Sequence, residues 1–154
     1  MAEQKILIPY NFTISESKAL DFVLDTFAHR EDVKITLFYA YTPLPEIDMK
    51  SSPELRKIKS GIAFLAEEFK KKEDGLISAK RYLLQNGFLD DQVDYVFKKK
   101  EKSIAEEITD QVSKGHYRML ILSRKGGKVT RLFARSVHSR VLSVSRDITV
   151  CIAT

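Results

Sequence analysis

The chain is poor in the residues that cross-link a fold, hold a metal or span a membrane. One of its 154 residues is a cysteine, Cys151. A lone thiol closes no internal disulfide and builds no zinc site. No apolar run approaches the roughly 20 residues that a membrane-spanning helix needs. The opening MAEQKILIPYN lacks the basic, apolar and small-residue layout of a secretory signal. Together these absences lead to the expectation of a cytoplasmic protein. Catalytic signatures are missing too: there is no GxSxG, no HExxH, no Ser-His-Asp order and no complete P-loop. Gly126-Gly127-Lys128 lacks both the preceding glycine spacing and the following Ser of a P-loop. His29, His116 and His138 have no His or Cys at ligand spacing. They read as a helix end, a loop residue and a residue of the last helix. Neither an internal repeat nor a low-complexity segment is present.

A final absence is of one sign of charge. Between Lys114 and Arg146 there is no Asp or Glu, while nine of the 26 basic residues fall there. The other 17 stand against all 21 acidic residues, so the +5 chain divides into a basic carboxyl-terminal part and a remainder of net −4. Such asymmetry points to an anionic ligand or partner near that part. A solvated basic face reads equally well, and the two stay open. Nucleic acid is disfavoured, because no stacking aromatics interleave these basic residues and no recognition-helix motif is visible.

What is present is an alternating pattern of elements. With 44% hydrophobic and 31% charged residues, the chain supports one core, expected as a single domain over residues 1–154. Lys5 to Tyr10 is a short continuous apolar run, the mark of a strand buried on both faces. Ser15 is a good N-cap for a helix carrying Leu20, Val23, Leu24, Phe27 and Ala28 on one face. Val33–Tyr41 is rich in β-branched and aromatic residues and reads as a strand, ended by Thr42-Pro43-Leu44-Pro45. Ser51 and Glu54 fit a capping box. They open a long helical stripe of Leu55, Ile58, Ile62, Leu65, Phe69, Leu76, Tyr82 and Leu83. Gly75 either breaks that helix or weakens it, and Gly87 is its expected C-cap. Val93–Phe97 is a third strand. Ser103 and Glu106 cap a helix with Ile104, Ile108 and Val112 on its buried stripe, ending at Gly115. Met119–Leu122 is a fourth strand. The loop Ser123–Thr130, SRKGGKVT, leads to a helix marked by Phe133, Val137, Val141 and Val144, then to a last strand at Ile148–Ala153.

The order β-α-β-α-β-α-β-α-β implies an α/β fold, a five-stranded parallel sheet with helices on both faces. Ligands in such sheets bind outside the carboxyl ends of the strands, where strand order switches. The loops that matter are therefore Asn11–Ser15, Tyr41–Pro45, Phe97–Ser103 and Ser123–Thr130.

Several stretches carry a family resemblance. Lys5-Ile6-Leu7-Ile8-Pro9-Tyr10-Asn11-Phe12-Thr13 resembles the universal stress protein opening K-I-L-V-P-x-D-x-S. Thr36–Ala40 resembles x-L-L-H-V, and Arg135-Ser136-Val137-His138 stands where the family has G-S-V-S. The resemblance covers essentially the whole chain. It implies strand order 3-2-1-4-5, an adenine nucleotide alpha-hydrolase-like fold and a homodimer through the carboxyl-terminal strand. Members that bind ATP carry G-x-x-G, nine residues, then G-S or G-T after the fourth strand. There glycine amides close on phosphates and a helix start favours the anion. Aligned on Ser136, this sequence has Leu122, Lys125 and Arg135 at the three glycine positions, and Asn11 at the strand-end Asp. Gly126 and Gly127 fall out of register.

By this resemblance the candidate nucleotide-binding residues are Pro9, Asn11, Ala40, Ser123, Arg124, Lys125, Arg135 and Ser136, with no catalytic and no metal-binding residue. The leading expectation is a non-enzymatic stress-response module that acts through dimerisation and partner contacts, its nucleotide binding weak or lost. The alternative is a universal stress protein that binds ATP or AMP, with basic side chains in place of the glycine cradle and slow hydrolysis left open. ATP or another adenine nucleotide is the cofactor to test, and a small anionic ligand is also allowed for. Neither reading names the protein partner.

Overall fold

The computed structural model describes residues 3–10, 14–43, 55–123 and 147–153. Five strands form one parallel sheet: β1 (Gln4–Pro9), β2 (Val33–Tyr41), β3 (Val93–Lys99), β4 (Met119–Ser123) and β5 (Thr149–Ala153). Their order is β3-β2-β1-β4-β5, as expected. Three α-helices lie among the described residues: α1 (Ile14–Phe27), α2 (Leu55–Gln85) and α3 (Ile104–Gly115). The capping box at Ser51–Glu54 and the helix expected over Phe133–Val144 lie outside the described residues.

The continuous apolar runs do what a doubly covered sheet requires. Ile6, Leu7 and Ile8 have no exposed surface, yet they serve two cores. Ile6 and Ile8 join Ile35, Leu37, Val93 and Ile121 beneath α1 and α2. Leu7 joins Phe38, Leu120 and Leu122 beneath α3, against Ile108 and Val112. Side chains alternate across the pleat, so each strand divides its residues between the two layers.

The direction of each crossover decides which layer a helix joins. The links from β1 to β2 and from β2 to β3 step one way along the sheet, while the link from β3 to β4 jumps back past β1. Right-handed crossovers put helices of opposite step on opposite faces. The jump makes β1 and β4 the switch point, with the carboxyl ends of β1, β2 and β4 side by side.

Local expectations needed several corrections. Helix α1 begins at Ile14, so Ser15 lies inside its first turn and is not the N-cap. Gly75 does not break α2, which runs unbroken for 31 residues; tertiary packing of Leu76, Ala79 and Leu83 outweighs the roughly 1 kcal/mol that glycine costs a helix. Gly87 does end that helix region. Its φ is +129° and an added Cβ would sit 3.2 Å from Ala28 Cβ, a conformation only glycine takes freely.

The long stripe of α2 is not buried throughout. Leu76 and Leu83 have no exposed surface, but Leu65 is 41% exposed. The helix is too long for the sheet. At about 1.5 Å per residue it spans about 46 Å, whereas the nine residues of β2 span about 30 Å. Phe69 packs against Tyr41, the last residue of β2. The turns before Phe69 therefore run past the carboxyl edge of the sheet.

Candidate functional site

Three of the expected contact residues are described, and the fold brings them together. Pro9 ends β1, Ala40 is next to last in β2 and Ser123 ends β4. Because β2, β1 and β4 are adjacent, these half-buried residues share the carboxyl edge at the switch point. The Tyr10 amide donates to Phe38 O at 2.8 Å, extending β1 along β2 beyond its assigned end. Asn11, Arg124, Lys125, Arg135 and Ser136 lie outside the described residues.

Leu122, at the first glycine position of the cradle, proves to be a core residue. It is 4% exposed and packs beneath α3 with Leu7, Phe38 and Leu120. Strand alternation sets it on the α3 face of the sheet.

The loop after β3 is tightly held, and its key residue was not visible in the sequence. Glu107, in the first turn of α3, is 1% exposed. Its Oε1 accepts the amides of Glu101 and Lys102, each at 2.9 Å. Its Oε2 lies 2.7 Å from Lys98 Nζ. That contact is an ion pair outside hydrogen-bonding angles, leaving Oε2 without an aligned hydrogen bond. Burial alone would push this carboxyl up. The Lys98 ammonium and the two amides outweigh it and hold the pKa at about 2, as charge-stabilising donors do. The expected capping box is present beside it: the Glu106 amide donates to Ser103 Oγ and Ser103 N to Glu106 Oε2. Lys102 pairs with Asp110 at 2.7 Å. Lys98 and Lys102 are therefore committed to structure. Lys99 and Lys100 make no ion pair among the described residues.

An aromatic cluster was equally hidden. Tyr39 and Tyr41 from β2, Phe97 from β3 and Phe69 from α2 meet where the strands end. Tyr39 stacks on Phe97 with ring centres 5.9 Å apart. Tyr41 meets Phe69 edge-on at 4.6 Å, and Phe97 lies 4.7 Å from Tyr41 and 4.9 Å from Phe69. Burial pushes the Tyr39 hydroxyl pKa up. Parallel register sets Tyr39 beside Phe97 and Tyr41 beside Lys99. The only sequence signal was two aromatic-rich strands, and register is what made them neighbours.

At the other side of the sheet, β5 is the edge strand, as expected. Lys18 and Phe22 of α1, with Ile121, Cys151, Ile152 and Ala153, line a groove of about 220 Å³. Cys151 is half-buried and packs against the α1-side core, consistent with a packing role. No group of His, Cys, Asp and Glu among the described residues is arranged to hold a metal. No described helix is long and apolar enough to cross a membrane.

Comparison with known proteins bears on the same framework. The family model described as "Universal stress protein family" matches residues 3–150. No curated protein sequence matches. Among solved structures, the chain is similar to the universal stress protein UspA from Lactobacillus plantarum, at 15% identity and TM-score 0.67, covering 100% of this chain and 99% of that one. It is similar to a universal stress protein family member from Burkholderia pseudomallei, at 16% identity and TM-score 0.64, covering 97% and 94%. It is also similar to the universal stress protein from Archaeoglobus fulgidus in complex with dAMP, at 12% identity and TM-score 0.64, covering 100% of both chains. Likeness at such identity concerns the fold.

Proposed function

This chain belongs to the universal stress protein family, and from that premise we propose that it is a cytoplasmic stress-response module. It acts as a homodimer through protein contacts, with adenine nucleotide binding weak or lost, and not through catalysis. Residues 1–154 serve as one domain in this reading.

The observation that carries the reading is the replacement of the cradle. Lys125 and Arg135 stand at glycine positions, where backbone amides would otherwise close on phosphate oxygens. Ordering each long side chain costs up to about 2 kcal/mol of rotamer entropy, which offsets part of any charge gained. Asn11 stands at the position of the strand-end Asp and supplies no charge. Lys98 and Lys102 are already paired, and Glu107 is held ionised by its structural partners. A carboxylate with a pKa of about 2 is poorly matched to general-base work near neutrality.

Dimerisation is supported by β5. Its sequence TVCIA carries no charge, and Ile152 is 44% exposed on it. A bare apolar edge strand invites pairing, and a two-fold that pairs it with itself is the simplest closed arrangement.

A second reading has its own support. Solved neighbours are described as complexes with dAMP and with cAMP, and in this chain Pro9, Ala40 and Ser123 share the carboxyl edge at the switch point of the sheet. In that reading Arg124, Lys125, Arg135 and Ser136 hold the phosphates directly, as charged side chains do. Isothermal titration with Mg-ATP at about 100 μM protein separates the two. A dissociation constant of about 10 μM or tighter, roughly −7 kcal/mol, would refute the first reading. Arg135→Gly then assigns the arginine: tighter binding shows that it blocks the pocket, weaker binding that it holds phosphate.

A further inference from the structure

Pairing through β5 alone is a small contact. The strand has five residues, whereas a stable interface buries about 1,200–2,000 Å². A two-fold that joins two copies through β5 therefore needs a second surface beside it, and α1 supplies one. Helix α1 packs on β4 and β5. Its Lys18 and Phe22, with Ile121, Cys151, Ile152 and Ala153, line the groove of about 220 Å³ at that edge. Phe22 is 39% exposed, and Phe27 meets its ring edge-on at 6.4 Å.

Symmetry decides what comes to this groove. Antiparallel pairing of β5 with its copy in one sheet sets the two-fold perpendicular to the sheet, so both α1 helices lie on the same side. Strands are about 4.8 Å apart. A helix over the β4–β5 pair then has its copy about 10 Å away, close to the 8–10 Å at which helices pack. Phe22 shares the groove with Cys151, the middle residue of β5. A two-fold through the middle of β5 thus brings the two Phe22 rings together. Lys18 lies four residues before Phe22 and Asp25 three after it, on the same side of the helix. About the axis, Lys18 of one copy comes within about 1.5 Å, the rise of one residue, of level with Asp25 of the other. Lys18 and Asp25 are both exposed, and neither makes an ion pair among the described residues.

We propose that a second copy of this chain closes the groove with its own α1. The two helices pack antiparallel about the β5 two-fold, Phe22 against Phe22 over the paired strands, and Lys18 of each copy against Asp25 of the other. This contact rests on the reading of β5 as the dimer strand and adds what fixes its register. A slip of β5 by two residues, about 6.6 Å, keeps the strand faces matched but parts the rings and both charge pairs.

The test is sedimentation equilibrium on the full chain over about 1–100 μM. The parent is expected to dimerise. Phe22→Ala, Lys18→Glu and Asp25→Lys are each expected to weaken the dimer about tenfold, the reversals because each sets like charges opposite one another twice. An equimolar mixture of the two reversal variants restores opposite charges at both places and recovers the parent's affinity. Phe22→Cys in a Cys151→Ser chain, oxidised with dithiodipyridine, should link two copies by a disulfide, which needs Cα atoms within about 7 Å. A parent that stays monomeric overturns this contact together with the β5 reading. A dimer weakened by Ile152→Lys but indifferent to all three α1 variants leaves the β5 reading standing and overturns this one, as does failure of the mixture to recover. An unreactive thiol at position 22 would show that the chain itself covers the face, and a thiol that forms only the reagent adduct would show an open one. Either result overturns the proposal.

Discussion

The two edges of the sheet are built in opposite ways. Strand β3 is joined to β2 by seven register pairs, from Val93 to Lys99, and α2 and the aromatic cluster cover one of its faces. Asp94, Lys98 and Lys99 put charge along it, and Lys98 ties it to α3 through Glu107. Strand β5 is five residues long, uncharged and partly exposed. Charge along an edge discourages pairing with another chain, and an apolar edge permits it. The contrast lies in where the charge falls: along β3 and not along β5.

The contrast breaks most severely at Glu107. Glu107→Ala leaves two amides and Lys98 without their acceptor. Loss of one member of a buried pair costs about 3–5 kcal/mol, and the low end applies because Lys98 can reach water. Urea denaturation should show a loss of about 3 kcal/mol, with the β3–α3 loop losing amide protection. The same carboxylate gives a pH signature. Its folded pKa, about 2, lies below the unfolded value of 4.5. Its contribution is therefore complete above about pH 4.5 and is lost as pH falls toward 2. The variant's acid unfolding curve should be flatter than the parent's across that window. Identical curves would remove Glu107 from the account.

Charging the other edge should leave the fold intact and change assembly. Ile152→Lys is expected to weaken dimerisation about 100-fold, equivalent to about 2.7 kcal/mol. Light scattering should then give a monomer mass at micromolar concentration, with unchanged circular dichroism. A dimer of undiminished affinity would exclude β5 as the contact.

The aromatic seal between β2, β3 and α2 is half-buried, so truncating it should cost less than a full core deletion of about 3–5 kcal/mol. Phe97→Ala should lose about 2 kcal/mol by thermal or urea denaturation. A loss under about 0.5 kcal/mol, the range of ordinary surface changes, would show that the cluster seals nothing. The smallest effect is favourable. His116 ends α3 with φ 54° and ψ 44°, a left-handed conformation that costs a side chain about 1–2 kcal/mol. His116→Gly should stabilise the chain by about 0.5–1 kcal/mol after the added backbone entropy of glycine. A fall in melting temperature would refute that.

Legibility in the sequence followed the range of the interactions. Continuous apolar runs such as Ile6-Leu7-Ile8 announced strands covered on both faces, and Ser103 with Glu106 announced a helix start, because both signals are local. Ser15 misled, since a good capping residue one position inside a helix looks the same as a cap. Pro9, Ala40 and Ser123 could be nominated by resemblance to motifs. Their adjacency depends on β2, β1 and β4 being neighbours, which is a fact of topology. Leu122 was legible as a strand residue, but the face it takes was settled by the pleat.

By itself the sequence determined the alternation of strands and helices, the switch in strand order implied by family likeness, the uncharged last strand and the lack of acid from Lys114 to Arg146. These are properties of short windows and of residue order. Only the tertiary structure decided that Glu107 is buried against Lys98, that Tyr39, Tyr41, Phe69 and Phe97 form one cluster, and that Leu65 of the α2 stripe stays exposed while Leu76 and Leu83 are buried. Each depends on how far one element extends relative to another. A hydrophobic period records which side of a helix is apolar, but not where the surface it packs on comes to an end.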